Sequence, residues 1–110
     1  MDTISLETVA RQQLTNAATA GGGHTAETVF GGREKVLRQT VIGMLEGSNL
    51  SEHENPGEAT VYVLHGRVRL STDELFWEGG TGDLIIAPAA RHSLEALEHS
   101  AILLTVAKLP

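Results

Sequence analysis

Two stretches of the sequence decide the fold: GSNLSEHENPGEATVYVLHG at residues 47–66 and GDLIIAPAARHSLEAL at residues 82–97. Each begins at a glycine and leads into a short segment with a period of two. In the second stretch His92, Leu94 and Ala96 fall on one side of an extended chain, and the residues between them fall on the other. This period predicts a β-strand with an inner and an outer face.

Working outward from these stretches, short apolar runs recur at even spacing and are separated by glycine, proline or aspartate. Regular punctuation of this kind favours an all-β sandwich or barrel. The predicted strands are Thr25–Phe30, Lys35–Leu45, Ala59–Leu64, Arg67–Ser71, Leu75–Glu78, Leu84–Ala87, His92–Ala96 and Ala101–Ala107.

The N-terminal segment has a different period. Apolar residues recur at spacings of three and four from Leu6 to Leu14, after a fair N-cap at Ser5, so residues 1 to about 19 are predicted to be helical. Three glycines then break the helix. We therefore divide the chain into an N-terminal helix, residues 1–20, and a glycine-rich linker followed by a barrel, residues 21–110.

Composition excludes several classes of protein. A length of 110 residues suits one domain, and the absence of cysteine excludes disulfides and thiolate metal sites. No apolar run approaches the ~20 residues of a membrane helix, and the N-terminus lacks the features of a secretion signal, so a cytoplasmic protein is expected. The net charge of −6 argues against nucleic acid as a partner.

The two opening stretches resemble the two conserved motifs of the cupins. Residues 47–66 resemble the first motif, and residues 82–97 resemble the second, with a short segment of 15 residues between them. The resemblance implies a double-stranded β-helix, the jelly-roll barrel. It also implies that two histidines and a glutamate of the first motif and a histidine of the second could hold Fe, Mn, Ni, Zn or Cu, as in many cupins. Other cupins have lost the metal and bind sugars or other small molecules.

Matched residue by residue, the metal motif is incomplete. His53 falls on the first histidine position, but Asn55 stands at the second and Ala59 at the glutamate position. Glu58 is one residue away, and a one-residue slip turns a side chain to the other face unless a bulge re-aims it. A deletion of one residue in the loop places His92 at the histidine of the second motif.

The candidate metal ligands are thus His53 and His92, with Asn55 or Glu58 as a possible third ligand for Fe, Mn, Ni or Zn. Two imidazoles and a neutral amide form a poor site for a divalent metal, which usually has three good donors. The simpler hypothesis is a polar pocket in which His53, Asn55 and His92 contact a small-molecule ligand.

The adjacent aromatic residues Phe76 and Trp77 lie in a predicted strand, so one should face inward and the other outward. An outward aromatic residue would be a contact residue at an interface or at the rim of a pocket.

Three functions remain open. The leading hypothesis is a small-molecule-binding, non-catalytic module. The alternatives are a metal-dependent dioxygenase or isomerase and a structural dimer or stress-related partner protein. A homodimer is expected under all three, because residues 59–64 are apolar on both faces and the amphipathic helix also needs a cover.

Overall fold

The computed structural model describes residues 2–53 and 57–108, with the backbone alone for residues 51–53. Within these residues one helix precedes nine strands. The elements are α1 (Leu6–Ala17), β1 (His24–Gly31), β2 (Leu37–Met44), β3 (Asn49–His53), β4 (Gly57–His65), β5 (Arg67–Ser71), β6 (Phe76–Gly80), β7 (Leu84–Ile86), β8 (His92–Ala96) and β9 (Ser100–Lys108).

The strands form two antiparallel sheets that face each other. The five-stranded sheet has the order β1-β2-β9-β4-β7, and the four-stranded sheet has the order β3-β8-β5-β6. Their inner faces share one apolar core, made of Ile42, Met44, Ala59, Val61, Val63, Val68, Leu70, Ile85, Ala87, Leu94, Ala96, Ile102 and Val106. The predicted all-β jelly roll with a short N-terminal helix is confirmed, and side chains fill the middle of the barrel.

Helix α1 lies on the outer face of the five-stranded sheet. The Ser5 side chain caps the helix by accepting a hydrogen bond from the Thr8 N–H (3.3 Å). Close contact requires a glycine beneath the helix, since a Cβ at Gly43 would lie 2.5 Å from the carbonyl carbon of Gln13. The helix is shorter at both ends than the predicted residues 1–19. No helix in the described part of the chain is long and apolar enough to cross a membrane.

The structure corrects the sequence prediction at strand β3 and shows how much of strand β4 the chain itself covers. Strand β3 was not predicted, because its sequence Asn-Leu-Ser-Glu-His carries one apolar residue, Leu50, and so has no apolar alternation. Within one chain, strand β4 is covered on its inner face and on part of its outer face. Its inner face is buried, but on the outer face only Leu64 packs in the cluster beneath α1, and Tyr62 is 37% exposed.

Candidate functional site

One end of the barrel brings together His92 and the backbone of His53, two of the residues that the sequence singled out. We call this end the mouth. It is formed by the first residues of β4, β6 and β8, at Gly57, Phe76 and His92, and by the last residue of β7, Ile86. The pairing of Ser71 with both Phe76 and Ser93 brings the starts of β6 and β8 to this end of the four-stranded sheet.

His92 is the first residue of an inward-facing row on β8. His92, Leu94 and Ala96 are buried, whereas the residues between them are partly exposed, as the period of two predicted. The His92 Nδ1 lies 2.9 Å from the carbonyl oxygen of Ala90. Because a carbonyl oxygen only accepts, Nδ1 carries the proton in this bond, which fixes the orientation of the ring. A buried, oriented imidazole is therefore present at the mouth.

The backbone of His53 pairs directly with that of His92. The register between β3 and β8 is irregular between Leu50 and His53, and it ends with these two residues opposite each other. The backbones of the two histidines are therefore neighbours within one sheet. Asn55, the third predicted pocket residue, lies outside the described residues.

The position of the glutamate ligand in cupins is occupied here by Ala59, which is buried in the apolar core. Glu58 could replace this ligand only if a bulge turned its side chain inward. The β4–β9 register is continuous from Gly57 to Val63, so Glu58 stays on the outer face and is exposed. Among the side chains that the structure describes, in residues 2–50 and 57–108, no group of three or more His, Asp or Glu residues could hold a metal ion. The described residues therefore do not fit a cupin metal centre, and no step through a metal is derived.

The apolar side of the mouth is formed by an inward aromatic residue, whereas the sequence analysis assigned the rim to an outward one. Trp77 pairs with the buried Leu70 of β5, so it lies on the inner side of the four-stranded sheet, yet it is 38% exposed. Leu75, two residues earlier, is also exposed. β6 is the edge strand of its sheet, so no strand of that sheet lies beside Trp77 on one side. The prediction that one of the two adjacent aromatic residues faces inward and the other outward is confirmed. Trp77 lies on the inner side, and Phe76 packs under the Arg69 guanidinium on the outer face.

The outer face of the four-stranded sheet is charged instead of apolar. Glu78 accepts hydrogen bonds from Arg69 Nη2 (2.7 Å) and Arg67 Nη2 (3.4 Å). The hydrogen bond from Arg69 is the main reason that the pKa of the Glu78 carboxyl is below its usual value. These residues lie on the outer face of the sheet, where two arginines and one glutamate form partly exposed ion pairs, so they form a solvated surface and not a second polar site.

Comparison with known proteins rests on structure. No family model matches the chain, and no curated protein matches its sequence. A conserved protein of unknown function from Streptococcus pyogenes has 27% identity and a TM-score of 0.72, covering 83% of this chain and 79% of that one. A cupin superfamily protein from Desulfitobacterium hafniense has 15% identity and a TM-score of 0.70, covering 78% of each chain. An RmlC-like cupin from Desulfovibrio desulfuricans has 22% identity and a TM-score of 0.66, covering 76% of this chain and 81% of that one.

These similarities agree with the strand order and with the two sequence motifs, although the metal ligands are incomplete. The chain therefore has the cupin fold: it is a small jelly-roll domain with one short N-terminal helix.

Proposed function

We propose that this cupin domain is a non-catalytic module that binds a small molecule at the mouth of its barrel. The observation that carries the proposal is His92, a buried imidazole that opens an otherwise apolar inward row. Binding sites commonly combine apolar walls with a few oriented polar groups. Here Trp77 and Leu75 supply an exposed apolar rim, and His92 supplies an oriented polar group.

In this proposal a ligand enters at the mouth and does not reach the middle of the barrel. The core beyond Leu94 is filled by buried aliphatic side chains, so a ligand has room only near the first residues of β8. The polar contacts assigned to it are His53, Asn55 and His92, as the sequence predicted. The indole of Trp77 offers a flat face on which a ring can pack.

The metal-dependent dioxygenase or isomerase finds no support among the described residues. Its carboxylate ligand would stand at position 59, where the chain has a buried alanine, and Glu58 lies on the opposite face. The proposal accordingly assigns His92 to ligand binding and to no proton or metal chemistry.

The chain's single tryptophan makes the proposal measurable. Chelator-treated protein is titrated with neutral sugars, phenols and small carboxylic acids, one at a time, while the Trp77 emission and the melting temperature are recorded. A ligand of the mouth shifts the emission and raises the melting temperature. His92→Ala should weaken its binding about five- to tenfold, the effect of one lost hydrogen bond of ~1 kcal/mol.

His65→Ala is the matched control, because His65 is exposed at the opposite end of β4 and should leave binding unchanged. His92→Asn provides a second variant if His92→Ala does not fold, as judged by circular dichroism. The proposal fails if no compound changes the emission or the melting temperature, or if the two histidine variants have equal effects.

A further inference from the structure

The outer face of the five-stranded sheet has two parts. Helix α1 covers one part, in which Val41, Ala101 and Leu103 are buried against it. We call the other part the bare half. It consists of the outward residues of β4, of β7 and of the C-terminal part of β9: Thr60, Tyr62, Leu84, Ile86, Thr105 and Ala107.

We propose that the bare half is the interface of a two-fold symmetric homodimer. Three large apolar side chains project from it, with Tyr62 37%, Leu84 55% and Ile86 66% exposed. The register explains why they are adjacent, since Tyr62 pairs directly with Leu84 and Thr60 with Ile86. Cross-strand neighbours point to the same side, so the three side chains form one patch.

A groove lies beside this patch on the same face. It has a volume of about 440 Å³ and is lined on the outer side by Glu58, Thr60, Ile86, Thr105 and Ala107. Apart from Glu58 and Ile86, these residues are small, so the groove can receive a large side chain from outside. One face thus carries both a projecting apolar ridge and a groove of small residues.

This combination favours a second copy of the chain over an unrelated partner. A two-fold axis places one surface against itself, so a ridge beside a groove is complementary to its own copy. In the dimer Ile86 of each copy packs into the groove of the other.

Charge supports the same partner. The chain carries a net charge of −6, so two copies repel each other over most of their surfaces. Among the residues that line the groove, Glu58 is the one charged side chain, and the patch itself has none. The bare half is therefore a surface on which two acidic copies can meet with little like-charge contact.

The small apolar area of the bare half indicates a weak homodimer. Taking roughly 200 Å² for a large side chain in full exposure, Tyr62, Leu84 and Ile86 expose on the order of 300 Å² per copy. A standard interface buries ~800 Å² per partner. The groove residues add to the area buried by the three side chains. The total buried area is nevertheless expected at the lower end of the range of protein interfaces. We therefore expect a dimer that dissociates at micromolar concentration.

Sedimentation velocity over the micromolar range tests the interface. The wild-type chain should change with concentration from 11.7 kDa to twice that mass. Ile86→Lys should raise the dissociation constant on the order of 100-fold, because a lysine would be buried against an apolar groove. Phe30→Lys is the matched control, since Phe30 is 49% exposed on β1, at the opposite edge of the same sheet.

The control should dimerise like the wild type, and all three proteins should have the same circular dichroism. A wild-type chain that stays monomeric throughout would overturn the proposal and would leave the bare half to a different partner. A dimer that survives Ile86→Lys, or one that Phe30→Lys disrupts equally, would place the interface elsewhere.

Discussion

The covered and bare halves of one sheet face differ in what lies above them and not in how they are built. Leu103 and Leu84 flank Tyr62 on either side through direct strand pairing, yet Leu103 is buried and Leu84 is exposed. The 12-residue helix is ~18 Å long and packs mainly against β1 and β2, with fewer contacts on β9 and β4. The sheet therefore offers more apolar surface than its own helix can cover.

An apolar residue on the outer face of a sheet therefore predicts that something packs on it, but it does not identify whether this is a segment of the same chain or a second chain. On the covered half the cover is part of the same chain, and Gly43 is shaped for it. On the bare half we assign the cover to a second copy. Matched substitutions on the two halves test whether they differ in this way.

The largest effect is expected from truncating the same side chain on the two halves. Leu103→Ala removes a leucine buried beneath α1 and should lower the free energy of unfolding by about 2–5 kcal/mol. Leu84→Ala should change it by no more than ~0.5 kcal/mol in dilute, monomeric protein. Urea denaturation at low concentration measures both values. Equal losses would show that the two halves are covered alike within the monomer.

A smaller effect is expected where the helix approaches the sheet most closely. Gly43→Ala places a Cβ 2.5 Å from the carbonyl carbon of Gln13, so α1 must shift, at a cost of about 1–3 kcal/mol. Gly21→Ala is the control, because a Cβ there meets nothing within 4 Å. Both are measured by thermal and urea unfolding. Unchanged stability in Gly43→Ala would mean that the helix does not rest on this glycine.

The smallest effect is expected in the four-stranded sheet, whose outer face carries charged side chains. Arg69→Ala should raise the pKa of the Glu78 carboxyl toward its usual value, because Arg69 makes the strongest hydrogen bond to it. Arg67→Ala should raise it less. Carbon-detected NMR titration of the carboxyl measures both pKa values, and equal shifts would contradict this order.

The lowered pKa of Glu78 determines how its contribution to the stability of the fold changes with pH. A carboxyl whose pKa is lower in the folded state stabilises the fold above its ordinary pKa, and this contribution is lost as the pH falls through the folded-state value. Acid unfolding of Arg69→Ala should therefore depend less on pH below the usual range of glutamate. Because the pair is at the surface, the change is expected to be small.

Much of the fold could be predicted from the sequence because it depends on alternation. The row of His92, Leu94 and Ala96 and the inner face of β4 follow from a period of two, and the structure confirms both. Strand β3 could not be predicted in this way, because its pairing with β8 depends on backbone hydrogen bonds between residues that have no apolar pattern.

The site was less predictable than the fold. The motif frame identified His92, but the exposure of Trp77 depends on β6 being an edge strand, which is a property of the sheet order and not of the local sequence. The exposure of Tyr62 depends in the same way on which strands α1 lies over. The ligand role of His53, Asn55 and His92 stays a prediction.

Site-specific cross-linking tests the assignment of the bare half most directly. The chain has no cysteine, so a single introduced thiol reports on one position. Ile86→Cys and Leu84→Cys should each give a covalent dimer with a short bis-maleimide reagent at micromolar concentration, whereas Phe30→Cys should not. We predict covalent dimers from the two variants of the bare half and none from Phe30→Cys. Equal yields at all three positions, or none at positions 84 and 86, would contradict the account.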